Sequence, residues 1–249
     1  MPDDFRIGTA GWSIPKQHAA AFPGAGNHLK RYAKTLPAVE INSSFYRPHR
    51  NATYARWAAS VPPGFRFAVK VPREITHQRR LTEAVEPLDR FLGEASALGD
   101  RLGPLLVQLP PSLRYDEASV GALLALLRAR FEGDVACEPH HATWFTARVD
   151  AALSRFRVAR VAADPAPARN AGVPGGWPGL VYRRLHGSPK MYYSAYAPET
   201  LDAVAQAMRG ELADGRASWC IRDNTALGEP TTDALGLLAR LRAPASTKA

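Results

Sequence analysis

The sequence predicts a single-domain (β/α)8 barrel of the TIM type, and three observations lead there. Eight strand-then-helix units fit into 249 residues. The strand-like runs are apolar at both parities, as parallel strands are when helices cover them. The first strand is not followed by the glycine-rich phosphate turn that opens a nucleotide-binding sheet. A doubly wound open sheet is the alternative, but it usually has fewer strands.

The first unit is the short strand Arg6-Ile7-Gly8-Thr9-Ala10-Gly11-Trp12, followed by Leu29, Tyr32, Ala33 and Leu36 at helical spacing. In the second strand, 38–46, Val39 and Ile41 suit a covered parallel strand. Glu40 and Asn42 share the opposite parity, so that side is wet or occupied, because an unpartnered carboxylate is costly in a dry core. Asn51 is placed to cap the next helix, with Tyr54, Trp57, Ala58 and Val61 as its stripe. The third strand, 65–71, precedes a stripe of Leu88, Phe91, Leu92, Ala95 and Leu98. The fourth, 103–109, precedes Val120, Leu123, Leu124, Leu127 and Phe131.

A fifth strand at 135–138 is followed by Val149, Ala152, Leu153 and Phe156. The sixth, 158–164, runs into the Pro- and Gly-rich stretch 165–179, which has no helical period, so the helix after strand six is expected to be short or missing. The seventh strand, 180–186, leads to Leu201, Val204, Ala205, Met208 and Leu212. The eighth, 218–223, leads to Ala234, Leu237, Leu238 and Leu241. No domain boundary is required, and the tail from about residue 243 is expected to fray.

The start, Met1-Pro2-Asp3-Asp4, is acidic where a signal peptide is basic, and no apolar run approaches the length of a membrane span, so a cytoplasmic protein without membrane contact is expected. Cys137 and Cys220 each sit in an apolar run and read as reduced, buried thiols. The net charge is +9, and 26 of the 32 basic residues are arginines. That excess suits either a solvated surface or a polyanion-binding face. The clusters Arg79-Arg80, Arg128 with Arg130, and Arg155-Arg157-Arg160 lack interleaved aromatics and are weak signals for a nucleic-acid partner.

In barrels of this kind the working groups lie at the carboxyl ends of the strands. Those ends carry Trp12, Glu40 with Asn42, Lys70, Gln108, Glu138, Asp164, His186, and Asp223 with Asn224, so every unit offers a polar group to one rim. Taken singly, each is as readily a turn cap or a satisfied core group. Glu40 and Glu138 are suited to an acid/base pair. Lys70 is open to three roles: forming a Schiff base, stabilising an oxyanion, or neutralising Glu40 and Glu138. Arg73, His77 and Arg184 suit a phosphate or carboxylate clamp, or pairing with the acids. Tyr192, Tyr193 and Tyr196, with Trp12, Phe45 and Tyr46, would wall a pocket or pack over the mouth. Glu40, Glu138, His141, Asp164 and His186 are ligand types that a divalent metal accepts, but Lys70 among them disfavours one, and no nucleotide-cofactor motif is present.

Six stretches together resemble the YecE-like family, catalogued as domain of unknown function seventy-two. The first three are Ile7-Gly8-Thr9-Ala10-Gly11-Trp12, Val39-Glu40-Ile41-Asn42-Ser43-Ser44-Phe45-Tyr46, and Phe65-Arg66-Phe67-Ala68-Val69-Lys70-Val71-Pro72-Arg73 with Ile75-Thr76-His77. The others are Gly103-Pro104-Leu105-Leu106-Val107-Gln108-Leu109-Pro110-Pro111, Arg184-Leu185-His186-Gly187-Ser188 and Asp223-Asn224-Thr225. The resemblance runs nearly end to end and implies a TIM-type barrel but no particular reaction. Two departures stand out. Glu138-Pro139-His140-His141 replaces Glu-x-Arg-His, so His140 restores the lost cation only when protonated. Arg222 stands where the pattern has Phe before Asp-Asn-Thr.

The expected function is therefore acid/base catalysis on a small anionic metabolite, phosphorylated or carboxylated. Glu40 and Glu138 would move protons, with Lys70 and His186 beside them. Trp12, Asn42, Tyr46, Arg73, His77, Gln108, Asp164, Arg184, Tyr193 and Asn224 would line the site. The rival readings are metal-dependent nucleic-acid processing or binding, and a non-catalytic ligand-binding module.

Overall fold

Strands and helices alternate along the chain of the computed structural model, which describes residues 5–243. The acidic start and the expected frayed tail beyond residue 243 lie outside those residues. The strands are β1 (Phe5–Thr9), β2 (Ala38–Ile41), β3 (Arg66–Lys70), β4 (Leu102–Gln108), β5 (Val135–Glu138), β6 (Val158–Arg160), β7 (Ala162–Asp164), β8 (Gly175–Gly176), β9 (Leu180–Leu185) and β10 (Ala217–Arg222). The helices are α1 (His28–Tyr32), α2 (Asn51–Ala59), α3 (Val85–Ala95), α4 (Glu117–Arg128), α5 (Ala147–Arg155), α6 (Pro198–Ala213) and α7 (Glu229–Arg242).

Local chemistry sets the helix starts. The side chains of Asn27, Asp116 and Thr146 accept hydrogen bonds from the backbone N–H of Lys30, Ser119 and Val149, capping α1, α4 and α5. At α2 the expected cap is displaced by one residue. Arg50 is the extended N-cap, and Asn51 lies inside the helix with its Nδ2 donating to Gly93 O at 2.9 Å, which ties α2 to α3. No α-helix lies between Asp164 and Leu180 among the described residues.

The strands form two sheets, ordered β1-β10-β9-β7 and β2-β3-β4-β5-β6-β8, and every pairing is parallel except β6 with β8. This differs from the single eight-stranded ladder expected. The sixth strand divides at Val161: β6 pairs with β5, whereas β7 pairs with β9. The sheets also meet where Ala10 bridges Glu40 and Gly11 N–H donates to Glu40 O at 2.9 Å. Gly8 permits this approach, since a Cβ there would stand 2.1 Å from Ala38 O. The result is an α/β fold of parallel sheets arranged in a TIM-barrel-like manner.

Strand alternation sorts the interior into two layers. Val39, Phe67, Val69, Leu105, Val107 and Val135 face outward into the large core shared with the helices. Ala38, Ala68, Leu106, Ala136, Ala159 and Ala163 face inward with Tyr182 and Trp219. Alanines on several strands leave room for those two rings, stacked with centroids 5.9 Å apart. This apolar layer is the floor of the candidate site.

Candidate functional site

The site follows from parity. Two residues beyond Ala38, Ala68, Leu106, Ala136, Tyr182 and Ile221, on the same inward side, stand Glu40, Lys70, Gln108, Glu138, Arg184 and Asp223, with His186 two residues further. Arg184 is the centre. Its guanidinium is fully buried, with Nε donating to Glu40 Oε2 at 3.1 Å and Nη2 to Glu40 Oε1 at 2.9 Å. Nη1 donates to Glu138 Oε2 and Nη2 to Asp223 Oδ2, both at 2.8 Å. One cation thus bridges carboxylates from β2, β5 and the end of β10, the geometry that arginine's rigid fork permits.

Smaller groups complete the cluster. Tyr182 Oη donates to Glu40 Oε2 at 2.9 Å and Gln108 Nε2 to Glu138 Oε2 at 2.7 Å. His186 Nε2 lies 2.9 Å from Glu138 Oε1. Its Nδ1 is 3.2 Å from Asp223 Oδ2, an ion-pair separation without hydrogen-bond alignment. Burial disfavours a charged imidazole, but the Asp223 and Glu138 carboxylates outweigh it and raise His186 to about 9. Burial acts against ionisation of Glu138 as well, yet Arg184 and His186 hold its carboxyl well below the usual range. Glu40 and Glu138 are the two groups that the sequence suggests for proton transfer. Both are fixed counter-ions of Arg184, and the titrating group beside them is the imidazole.

Lys70 also departs from its simplest reading. It is 4% exposed, yet Nζ makes no ion pair or hydrogen bond among the described residues and lies over the Phe45 ring, 4.2 Å from the centroid. Arg184 has taken the neutralising role. Burial and the Arg184 charge lower the amine's pKa against the opposing pull of Glu40, Glu138 and Asp223. His140 and His77 are both shifted down, first by burial, with Lys70 among the charges that add to it. A neutral His140 does not supply the cation that the Glu-x-Arg-His pattern would place there.

Other expected members lie at the rim or leave the site. His77 meets the Phe45 ring edge-on at 4.9 Å. Tyr46, 65% exposed, and Arg73 line a cavity of about 310 Å³ together with Phe45 and Arg47. Asn42 lines another, of about 300 Å³, with Thr9 and Asp223. Trp12 instead packs against Trp57 at 5.0 Å and Phe67 at 6.4 Å in the outer core. Asp164 has the parity opposite to inward-facing Ala163, and its Oδ2 accepts from Tyr196 Oη at 2.6 Å. Tyr193 lies under the Lys190 ammonium, and it is Tyr192 whose ring meets His186, at 5.8 Å. Asn224 Nδ2 donates to Ser194 O and Asp233 Oδ2, bracing the loop. His141 Nδ1 accepts from Thr143 N–H at 3.2 Å as a turn cap.

The five candidate metal ligands are thus not gathered: His141 and Asp164 face elsewhere, and Glu40 and Glu138 enclose a guanidinium. Among the described residues no three His, Cys, Asp or Glu side chains form a metal-holding group. The arginine clusters are tied into their own fold. Arg79 pairs with Glu74, Arg130 with Asp89 and Arg160 with Asp150, and Arg128 and Arg157 donate to backbone carbonyls. Sequence reasoning placed Asp223 on the rim without a specific role and overlooked Tyr182, while Tyr192 entered only as a pocket wall or lid and His140 only as a substitute cation. The inward parity that Tyr182 shares with Arg184 and His186 was the available signal for it.

The family model described as "Protein of unknown function DUF72" matches residues 6–249. The chain belongs to the DUF72 family. It is 32% identical over 104 residues to the UPF0759 protein YecE of Escherichia coli K12, covering 42% of this chain and 37% of that protein. It is 29% identical over 153 residues to the UPF0759 protein YunF of Bacillus subtilis, covering 56% and 52%. The matched stretches thus span about a third to a half of these curated relatives. Crystal structures of DUF72 proteins from Enterococcus faecalis and Thermotoga maritima superpose with TM-scores of 0.81 and 0.76, at 20% and 21% identity. Each comparison covers 96% of this chain, with 96% and 99% of the respective structure. At that identity the DUF72 likeness shows the fold. A fusion protein with a xylose isomerase-like TIM barrel superposes at 0.53 over 96% of this chain and 42% of its own, at 13% identity.

No helix among the described residues is long and apolar enough to cross a membrane.

Proposed function

We propose that this DUF72 chain is an enzyme that performs acid/base chemistry on a small anionic metabolite at the carboxyl ends of β2, β3, β5, β9 and β10. One observation carries the reading: the His186 imidazole, held between Glu138 and Asp223, belongs to the same cluster as a Lys70 amine that has no ion pair or hydrogen bond among the described residues. Here the Arg184 network fixes the carboxylates and leaves His186 as proton donor and Lys70 as the reactive or charge-stabilising group. Arg73, exposed on the rim and forming no ion pair among the described residues, is positioned to receive a phosphate or carboxylate. Phe45, over whose ring the Lys70 amine lies, lines the same cavity as Arg73.

The test is a thermal-shift screen of phosphorylated and carboxylated metabolites, with and without divalent ions, on the wild type and on H186N and R73A. The reading expects a stabilising ligand whose effect needs no metal and weakens at least tenfold in apparent affinity in R73A. If no compound raises the melting temperature, or all three proteins respond alike, the reading fails.

A further inference from the structure

We infer that Lys70 is a nucleophile that forms a Schiff base, and that the substrate class is an aldehyde or ketone carrying a carboxylate or phosphate. This deepens the reading above and rests on the same basin. The observation behind it is an accounting of acceptors. Glu40 Oε1 accepts from Arg184, and Oε2 from Arg184 and Tyr182. Glu138 Oε1 faces His186, and Oε2 accepts from Arg184 and Gln108. Asp223 Oδ2 faces both Arg184 and His186. A lysine projecting among three carboxylates would ordinarily take one of these oxygens, yet its nitrogen is left against the Phe45 ring.

That arrangement separates two roles for Lys70. An oxyanion stabiliser must keep its proton, which a carboxylate partner favours. A nucleophile must release it, and burial beside the Arg184 cation favours release. The surroundings also supply the other reactant. His186 lies against Glu138 and Asp223, and Lys70 stands on the same inward side, two residues beyond Ala68, so the imidazole and the amine belong to one cluster.

The step balances without an oxidant or reductant. The neutral Lys70 nitrogen forms a bond to the carbonyl carbon while the π pair moves to oxygen, which takes a proton from His186. The carbinolamine nitrogen then passes a proton back to the neutral His186, which delivers it to the hydroxyl, and the C–O bond breaks as water leaves. The nitrogen lone pair then forms the C=N bond, and solvent reprotonates His186. The imine nitrogen becomes an electron sink for breaking a bond to the neighbouring carbon.

Reductive trapping tests this on the wild-type protein. Glyoxylate, pyruvate and glycolaldehyde phosphate are incubated separately with the protein and sodium cyanoborohydride, with propionaldehyde as the uncharged control, and peptide masses are then mapped. The expected result with at least one anionic probe is a reduced adduct on Lys70 at least tenfold more abundant than on Lys16, Lys30, Lys34, Lys190 or Lys248, and absent in a folded K70R variant. Adducts spread evenly over the lysines, or none on Lys70, overturn the inference. A thermal shift with these probes and an unmodified Lys70 refutes the Schiff base alone. Absence of both shift and adduct refutes the basin as a carbonyl-binding site as well.

Discussion

Arg184 and Arg222 are both fully buried, on the paired strands β9 and β10 and of opposite parity, and their surroundings are opposites. Arg184 points inward between the sheets and meets three carboxylates. Arg222 shares the outward face of β10 with Cys220, and its Nε, Nη1 and Nη2 have no hydrogen-bond partner among the described residues. Its guanidinium lies over the Tyr196 ring, 5.2 Å from the centroid. Asp233 feels its charge, but Asp233 is engaged by Asn224 and the Tyr196 N–H. Burial alone therefore does not mark a functional arginine. What distinguishes the inner one is that carboxylates from other strands converge on it, which is what a built site requires and a tolerated substitution does not.

The largest expected effect comes from breaking the inner cluster. R184M leaves Glu40, Glu138 and Asp223 buried without their common cation, and removing one partner of such a network costs about 3–5 kcal/mol. Urea unfolding should show that loss, and adding E138Q to R184M should recover part of it by removing one stranded charge. An R184M protein as stable as wild type would mean that the carboxylates do not depend on Arg184.

The next effect is a pH dependence belonging to the same cluster. His186 titrates at about 9 in the folded protein against an ordinary 6.5. Its protonated form therefore stabilises the fold fully below about pH 6.5, and that contribution is lost as pH rises through about 9. The shift corresponds to on the order of 3 kcal/mol at about 1.4 kcal/mol per pH unit. Unfolding free energies measured between pH 6 and 10 should fall in that window for the wild type, and the fall should be absent in H186N. Imidazole NMR shifts of His186 showing a midpoint at or below 6.5 would break the assignment.

Much of this was readable from the sequence, and the failures share a cause. The alternation of strands and helices, the helix lost after the sixth strand and the inward parity of Glu40, Lys70, Glu138 and His186 follow from periodicity. Asp164 was misplaced because Ala162 and Ala163 are both small, so nothing in the sequence marks which parity faces inward. Trp12 and Tyr193 were drawn to the rim by chemical type, although an aromatic side chain serves the outer core or a lysine equally well. The split at Val161 depends on a change of pairing partner that has no local signature. The pairing of Arg184 rather than Lys70 with the acids is a three-dimensional competition. Arginine satisfies several carboxylate oxygens at once from a rigid plane, and lysine brings a point charge on a flexible stem.

The smallest effect has the opposite sign and concerns the outer arginine. The family pattern places Phe at this position, and the slot of Arg222, beside Tyr196 and the outward core of β10, is apolar enough to accept an aromatic ring. A buried guanidinium with no acceptor carries its full desolvation cost, set against a cation–π contact of about 1–2 kcal/mol. R222F removes that cost and retains an aromatic contact with Tyr196, so it should raise unfolding stability by roughly 1–3 kcal/mol. Because Arg222 faces away from the basin, the same variant should leave ligand-induced thermal shifts and Lys70 trapping unchanged. A destabilised R222F would show that the guanidinium has an anionic partner in solution, and the contrast with Arg184 would then become one of partner identity.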